Sequence, residues 1–165
     1  MMFVDSKKEK LNQMQLLKIA FENSRTPYTV EEGIAAVLAE SRSPNCIMMR
    51  EGNTIFVIHY NAKQKNEGMF RGLNADTPAN YLQNSLEFIK AAGLAGFTIL
   101  VSQFQDPALL QIFKYISRKP PFSGMGYAVQ EMKGGGYQVT VNLGTPKSAH
   151  GGTLPSAPKK ARGAL

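Results

Sequence analysis

The spacing of hydrophobic and polar residues changes several times along this chain, and each change marks an element. Between Lys7 and Glu22 the apolar residues Leu11, Met14, Leu17, Ile19 and Phe21 recur at a spacing that predicts a helix. The polar run Asn-Ser-Arg-Thr-Pro ends it. Thr29 to Glu32 has the Thr-x-x-Glu form of a capping box, in which threonine and glutamate satisfy N–H groups that a helix start leaves unpaired, so a second helix is expected to about Ser41. Residues 45–50 and 54–60 are strand-forming runs separated by Glu-Gly-Asn, the pattern of an antiparallel hairpin, and Met69 to Asn74 reads as a third strand. Thr77 can cap a following helix and Pro78 suits its first turn, with Leu82, Leu86 and Ile89 on one face and Gly93 as its stop. Gly96 to Ser102 is nearly continuous in apolar residues, as in a central strand covered on both faces. Asp106-Pro107 opens a helix from Ala108 to Arg118, which Lys119-Pro120-Pro121 closes. Tyr127 to Met132, a Lys-Gly-Gly-Gly turn and Tyr137 to Leu143 form a last hairpin, and in its second strand Tyr137, Val139, Val141 and Leu143 alternate with polar residues. These elements predict a mixed α/β (α+β) domain with a mostly antiparallel mixed sheet flanked by helices.

Composition changes this picture only at the C-terminus. Residues 1–143 carry 15 basic and 12 acidic residues, +3, whereas 144–165 carry four basic residues and no acid, +4. The segment GTPKSAHGGTLPSAPKKARGAL has too few apolar residues to offset the entropy of ordering itself, so a globular domain over 1–143 followed by a flexible basic tail over 144–165 is expected. Lys147, Lys159, Lys160 and Arg162 are its candidates for contact with phosphates or with a partner protein. The single cysteine, Cys46, can form no disulfide within the chain, and metal-site spacing is absent. No stretch reaches the roughly 18 apolar residues of a membrane span, and the start, MMFVDSKKEK, lacks the apolar core of a secretion signal; a soluble protein is expected.

Two stretches hold the candidate chemistry. Met69 to Gly93 runs from strand through a polar turn into helix, a junction that can hold phosphates on its backbone N–H groups. The stretch DPALLQIFKYISRK follows the central strand. With the order of elements, these residues resemble the GNAT acyltransferases over about Lys7 to Leu143. The resemblance implies a loop of the form Gln/Arg-x-x-Gly-x-Gly/Ala that admits the pyrophosphate of coenzyme A. Counted from Arg71, with Gly72 and Ala75 in between, the glycine position is Asn74 and the last small position is Asp76, whose carboxylate would repel a pyrophosphate. It also implies a helix of the form Asn-x-x-Ala-x-x-Leu-Tyr whose tyrosine protonates the departing thiolate. Asp106, Leu109, Ile112 and Phe113 fall on those positions, so the packing residues are kept and the proton donor is not. Tyr115 lies about 200° further round the helix, at about 100° per residue, and is the weak substitute. His59, in the second strand, is a candidate base.

A degenerate loop, small size and a basic tail are shared with GNAT-like virion-associated proteins of tailed bacteriophages. This resemblance implies a non-catalytic virion or assembly component that contacts duplex DNA or other virion proteins, located in the virion and, before assembly, in the host cytoplasm, and open to oligomerisation within a particle. No cofactor is expected on this reading. The alternatives are an active N-acyltransferase using acetyl-CoA and a small non-viral binding module.

Overall fold

The computed structural model describes residues 2–24, 27–123 and 126–144. Four helices, α1 (Gln13–Asn23), α2 (Val30–Glu40), α3 (Pro78–Ala95) and α4 (Leu110–Ser117), pack on six strands, β1 (Cys46–Glu51), β2 (Thr54–Asn61), β3 (Gln64–Asn74), β4 (Ile99–Phe104), β5 (Tyr127–Glu131) and β6 (Tyr137–Asn142). They form one sheet in the order β1-β2-β3-β4-β6-β5. Every neighbouring pair is antiparallel except β3 and β4. This is the mixed α/β architecture expected from the sequence.

The sheet is covered unequally on its two faces, because residues two apart in a strand share a face. On one face, Phe56, Ile58, Leu100, Val139 and Val141 meet Phe88 and Ile89 of α3 and Phe113 and Ile116 of α4. On the other, Cys46, Met48, Ile55 and Val57 meet Leu16, Leu17 and Ala20 of α1 and Val37 of α2. Met48 and Met49 are both core residues, one on each face. No described helix is long and apolar enough to cross a membrane.

Several boundaries differ from the sequence reading. α1 starts at Gln13 instead of Lys7, because Asn12 caps it through a capping box with Gln15. β3 starts at Gln64 instead of Met69, since its polar first residues pair back on β2. α3 runs past Gly93 and stops at Gly96, whose φ of 112° provides the left-handed cap. β4 therefore begins only at Ile99, and it is not covered equally on both faces: Leu100 and Ser102 are buried, while Ile99 and Val101 are only half-buried. The last helix opens with a 3₁₀ turn, Pro107–Leu109, capped by Asp106.

The parallel pair holds together only briefly. Glu67, Gly68 and Met69 of β3 pair with Ile99, Leu100 and Val101 of β4. Beyond that point β3 continues on β2 and β4 continues on β6, so the two strands separate and open the sheet beneath α3 and α4.

Candidate functional site

The turn between β3 and α3 is held by one buried carboxylate. Asp76 is fully buried. Its Oδ1 accepts hydrogen bonds from Ser6 N (3.0 Å), Thr77 N (3.0 Å) and Asn80 Nδ2 (2.9 Å). Its Oδ2 accepts from Asn53 N (3.0 Å) and Asn84 Nδ2 (2.9 Å). Burial pushes the carboxyl up, but the hydrogen bonds from Ser6, Asn53, Asn80 and Asn84 outweigh it and hold the pKa down to about 2. Gly52, in the β1–β2 turn at φ 54°, packs directly over this group; a Cβ there would lie 2.7 Å from Asn84 Oδ1 and 2.8 Å from Asp76 Oδ2.

The chain preceding α1 is tied to the same turn. Val4 N donates to Ala75 O, and Asn80 Nδ2 donates to Asp5 Oδ1. Asn53 donates to the carbonyls of Val4 and Glu9 and accepts from Leu11 N, while Arg50 donates to the carbonyl of Leu11.

The N–H groups of Ala75, Asp76, Thr77 and Asn80 are thereby used. Ala75 N donates to Asn53 O, Asp76 N to Asn74 Oδ1, and Thr77 N to Asp76 Oδ1. In the first turn of α3, Asn80 N is capped by Thr77 Oγ1, and Pro78 has no N–H. The helix dipole that would attract an anion meets the carboxylates of Asp5 and Asp76 instead. The sequence reading gave Asp76 the role of repelling a pyrophosphate; its side chain also faces inward and binds the turn together. Asn74, at the expected glycine position, pairs with Thr54 Oγ1 and with both backbone groups of Asp76.

Where β3 and β4 separate, a pocket of about 190 Å³ opens between the sheet and helices α3 and α4. Its walls are mainly aromatic: Phe56, Phe70, Tyr81, Phe88, Phe104 and Phe113. Phe56 and Phe88 stack at 4.2 Å, and Phe113 lies 6.0 Å from Phe104 and 6.2 Å from Phe70. Gly72 lets the Tyr81 hydroxyl come close to β3, since a Cβ there would sit 2.7 Å from it. Burial pushes the Tyr81 phenol up to about 12.

Phe113, at the position the resemblance gives to a proton donor, is a buried wall of this pocket. Tyr115 is outside it: its hydroxyl lies 3.4 Å from Gln83 Oε1 and Lys119 Nζ sits 5.2 Å from its ring. His59 is also apart, on the sheet face covered by α2. There its Nε2 meets Glu40 Oε2 at 2.8 Å, with Arg71 on Glu40 Oε1 at 2.7 Å and Cys46 Sγ 4.0 Å from His59 Nε2. Glu40 and Cys46 both approach this ring nitrogen from the α2 side of the sheet, away from the pocket. Among the described residues no group of three or more His, Cys, Asp or Glu side chains could hold a metal. Lys147, Lys159, Lys160 and Arg162 lie outside the described residues.

Asn53, Asn80, Asn84 and the pocket residues Tyr81, Ser85 and Ser102 were not singled out by the sequence. One signal was present: Asp76, Asn80 and Asn84 are four apart, which sets Asn80 and Asn84 on one helix face just below Asp76 at its mouth.

Compared by sequence, the chain matches no family model and no curated protein. Compared by structure, it is similar to a proposed acetyltransferase of Acinetobacter baylyi ADP1, with a TM-score of 0.50 and 15% identity over 95% of this chain and 94% of that one. The fold is GNAT-like. The ribosomal-protein-S18-alanine N-acetyltransferase of Escherichia coli aligns at a TM-score of 0.49 and 10% identity, over 87% of this GNAT-like chain and 96% of the enzyme. A GNAT-family acetyltransferase of Streptococcus pneumoniae aligns at 0.43 and 16% identity, over 86% and 97%.

Proposed function

We propose that this GNAT-like protein is a non-catalytic binding module, an acetyltransferase scaffold that does not take up coenzyme A through its strand–helix turn. The observation that carries the reading is the consumption of the turn's N–H groups around Asp76. A pyrophosphate would have to displace internal hydrogen bonds and sit beside a carboxylate held ionised by its surroundings. The two groups proposed from sequence as acid or base, Tyr115 and His59, are both outside the pocket. The virion or assembly role, with duplex DNA or virion proteins as partners of the basic tail, is the finer part of the proposal and draws its support from the sequence resemblance. The coding neighbourhood of the gene tests it: virion genes beside this one are expected, and their absence there removes the viral part of the reading.

A second reading, an active N-acyltransferase, is favoured by one feature, the aromatic pocket where β3 and β4 separate. Calorimetry of the full-length chain with acetyl-CoA at low salt decides between them. The binding-module reading expects no dissociation constant tighter than about 100 μM; a low-micromolar value, about −8 kcal/mol, overturns it in favour of the enzyme.

A further inference from the structure

The pocket carries chemistry of its own. Tyr81, Ser85 and Ser102 line it, and Ser85 and Ser102 are buried residues on walls that are mainly apolar. No fully buried side-chain oxygen or nitrogen among the described residues is left without a hydrogen-bond partner. The hydroxyls of Tyr81, Ser85 and Ser102 bond to no other described residue, so they open into the pocket itself. Ionised groups do not: Arg71 borders the space, but its guanidinium pairs with Glu40 on the opposite face of the sheet.

We infer that this pocket binds a neutral, single-ring aromatic molecule bearing a hydroxyl or carbonyl group, held between phenylalanine rings and hydrogen-bonded to Tyr81 and the two serines. The inference rests on the binding-module reading, in which nothing tethers the ligand through phosphates. Size favours one ring: an apolar cavity of about 150 Å³ holds benzene, and a pocket of about 190 Å³ adds room for a polar substituent. Ring-lined walls favour an aromatic occupant through offset or edge-to-face contact. Neutrality follows from the lack of a counter-charge, because an ionised ligand would lose its hydration for nothing in return. With its phenol pushed up to about 12, Tyr81 stays protonated at neutral pH and can donate to the ligand's oxygen.

The test is calorimetry of the full-length chain with para-cresol, toluene, benzoate and acetyl-CoA. Saturable binding of para-cresol is expected, with toluene and benzoate each at least about tenfold weaker. In Tyr81→Phe the preference for para-cresol over toluene should fall severalfold, and Ser102→Leu, which fills the pocket, should abolish binding while circular dichroism stays that of the parent. No binding of para-cresol to the parent overturns the inference, as does equal binding by folded Ser102→Leu; if that variant fails to fold, an unchanged preference in Tyr81→Phe overturns it. The acetyl-CoA arm separates the two readings. Acetyl-CoA binding together with para-cresol leaves the aromatic site standing and refutes the binding module, whereas silence from both ligands refutes the site and keeps the module.

Discussion

Replacing Asp76 with asparagine tests the central element of the turn. The carboxylate faces only donors: three on Oδ1 and two on Oδ2. An asparagine must turn its NH₂ toward one of those sets, leaving at least two N–H groups opposed to another N–H in a buried site. At about 1 to 3 kcal/mol for each unsatisfied buried donor, Asp76→Asn should cost about 2 to 6 kcal/mol at pH 7. The pH dependence gives an independent check. Folding lowers the carboxyl from 3.8 to about 2, so its contribution, about 2 kcal/mol, is complete above pH 4 and is lost as pH falls toward 2. Urea unfolding of parent and variant from pH 7 to pH 2.5 should therefore show a gap that narrows only below about pH 4. A gap under about 1 kcal/mol at pH 7, or one that stays constant across the whole range, refutes the account.

Two further outcomes follow from packing and charge. Phe88 is fully buried and stacks on Phe56 at 4.2 Å, so Phe88→Ala should cost about 3 to 5 kcal/mol in chemical denaturation. Replacing Lys159, Lys160 and Arg162 together with alanine should leave the unfolding curve unchanged and, if these residues reach duplex DNA, flatten the dependence of log K on log salt by nearly three units, at about 0.9 per phosphate contact.

Local signals made much of the fold legible. The Thr29 capping box, the hairpin around Gly52 and the alternation of Tyr137 to Leu143 each depend on neighbours in sequence, and each element formed where it was expected. Asn12 was passed over because its partner is Gln15, a weaker form of the Thr-x-x-Glu pattern. The internal role of Asp76 was missed for a different reason. A carboxylate in a phosphate-type loop looks repulsive when only the loop is considered, but two of its five donors come from Ser6 and Asn53, on segments that the fold brings in from elsewhere. The pocket was hidden in the same way, since Ser85 and Ser102 acquire a common role only through the divergence of β3 from β4. The resemblance to the GNAT acyltransferases set Phe113 at the place of a proton donor, and the structure makes it a buried residue of the pocket wall.

The ties between the first residues of the chain and the β3–α3 turn also order events in time. Ser6 bonds to a residue 70 positions later, and Asp5 to one 75 positions later. During synthesis this segment leaves the ribosome before the turn residues that hold it. At about 5 to 20 residues per second, it waits about 4 to 15 seconds for Asp76 and Asn80 to appear, and longer for them to clear the exit tunnel. Until Leu73 and Ala75 are made, Leu16 and Leu17 of α1 lack the last part of their side of the core. The segment before α1 is thus fixed only once the β3–α3 turn is made, and until then part of the apolar face of α1 stays open to chaperones and to neighbouring chains.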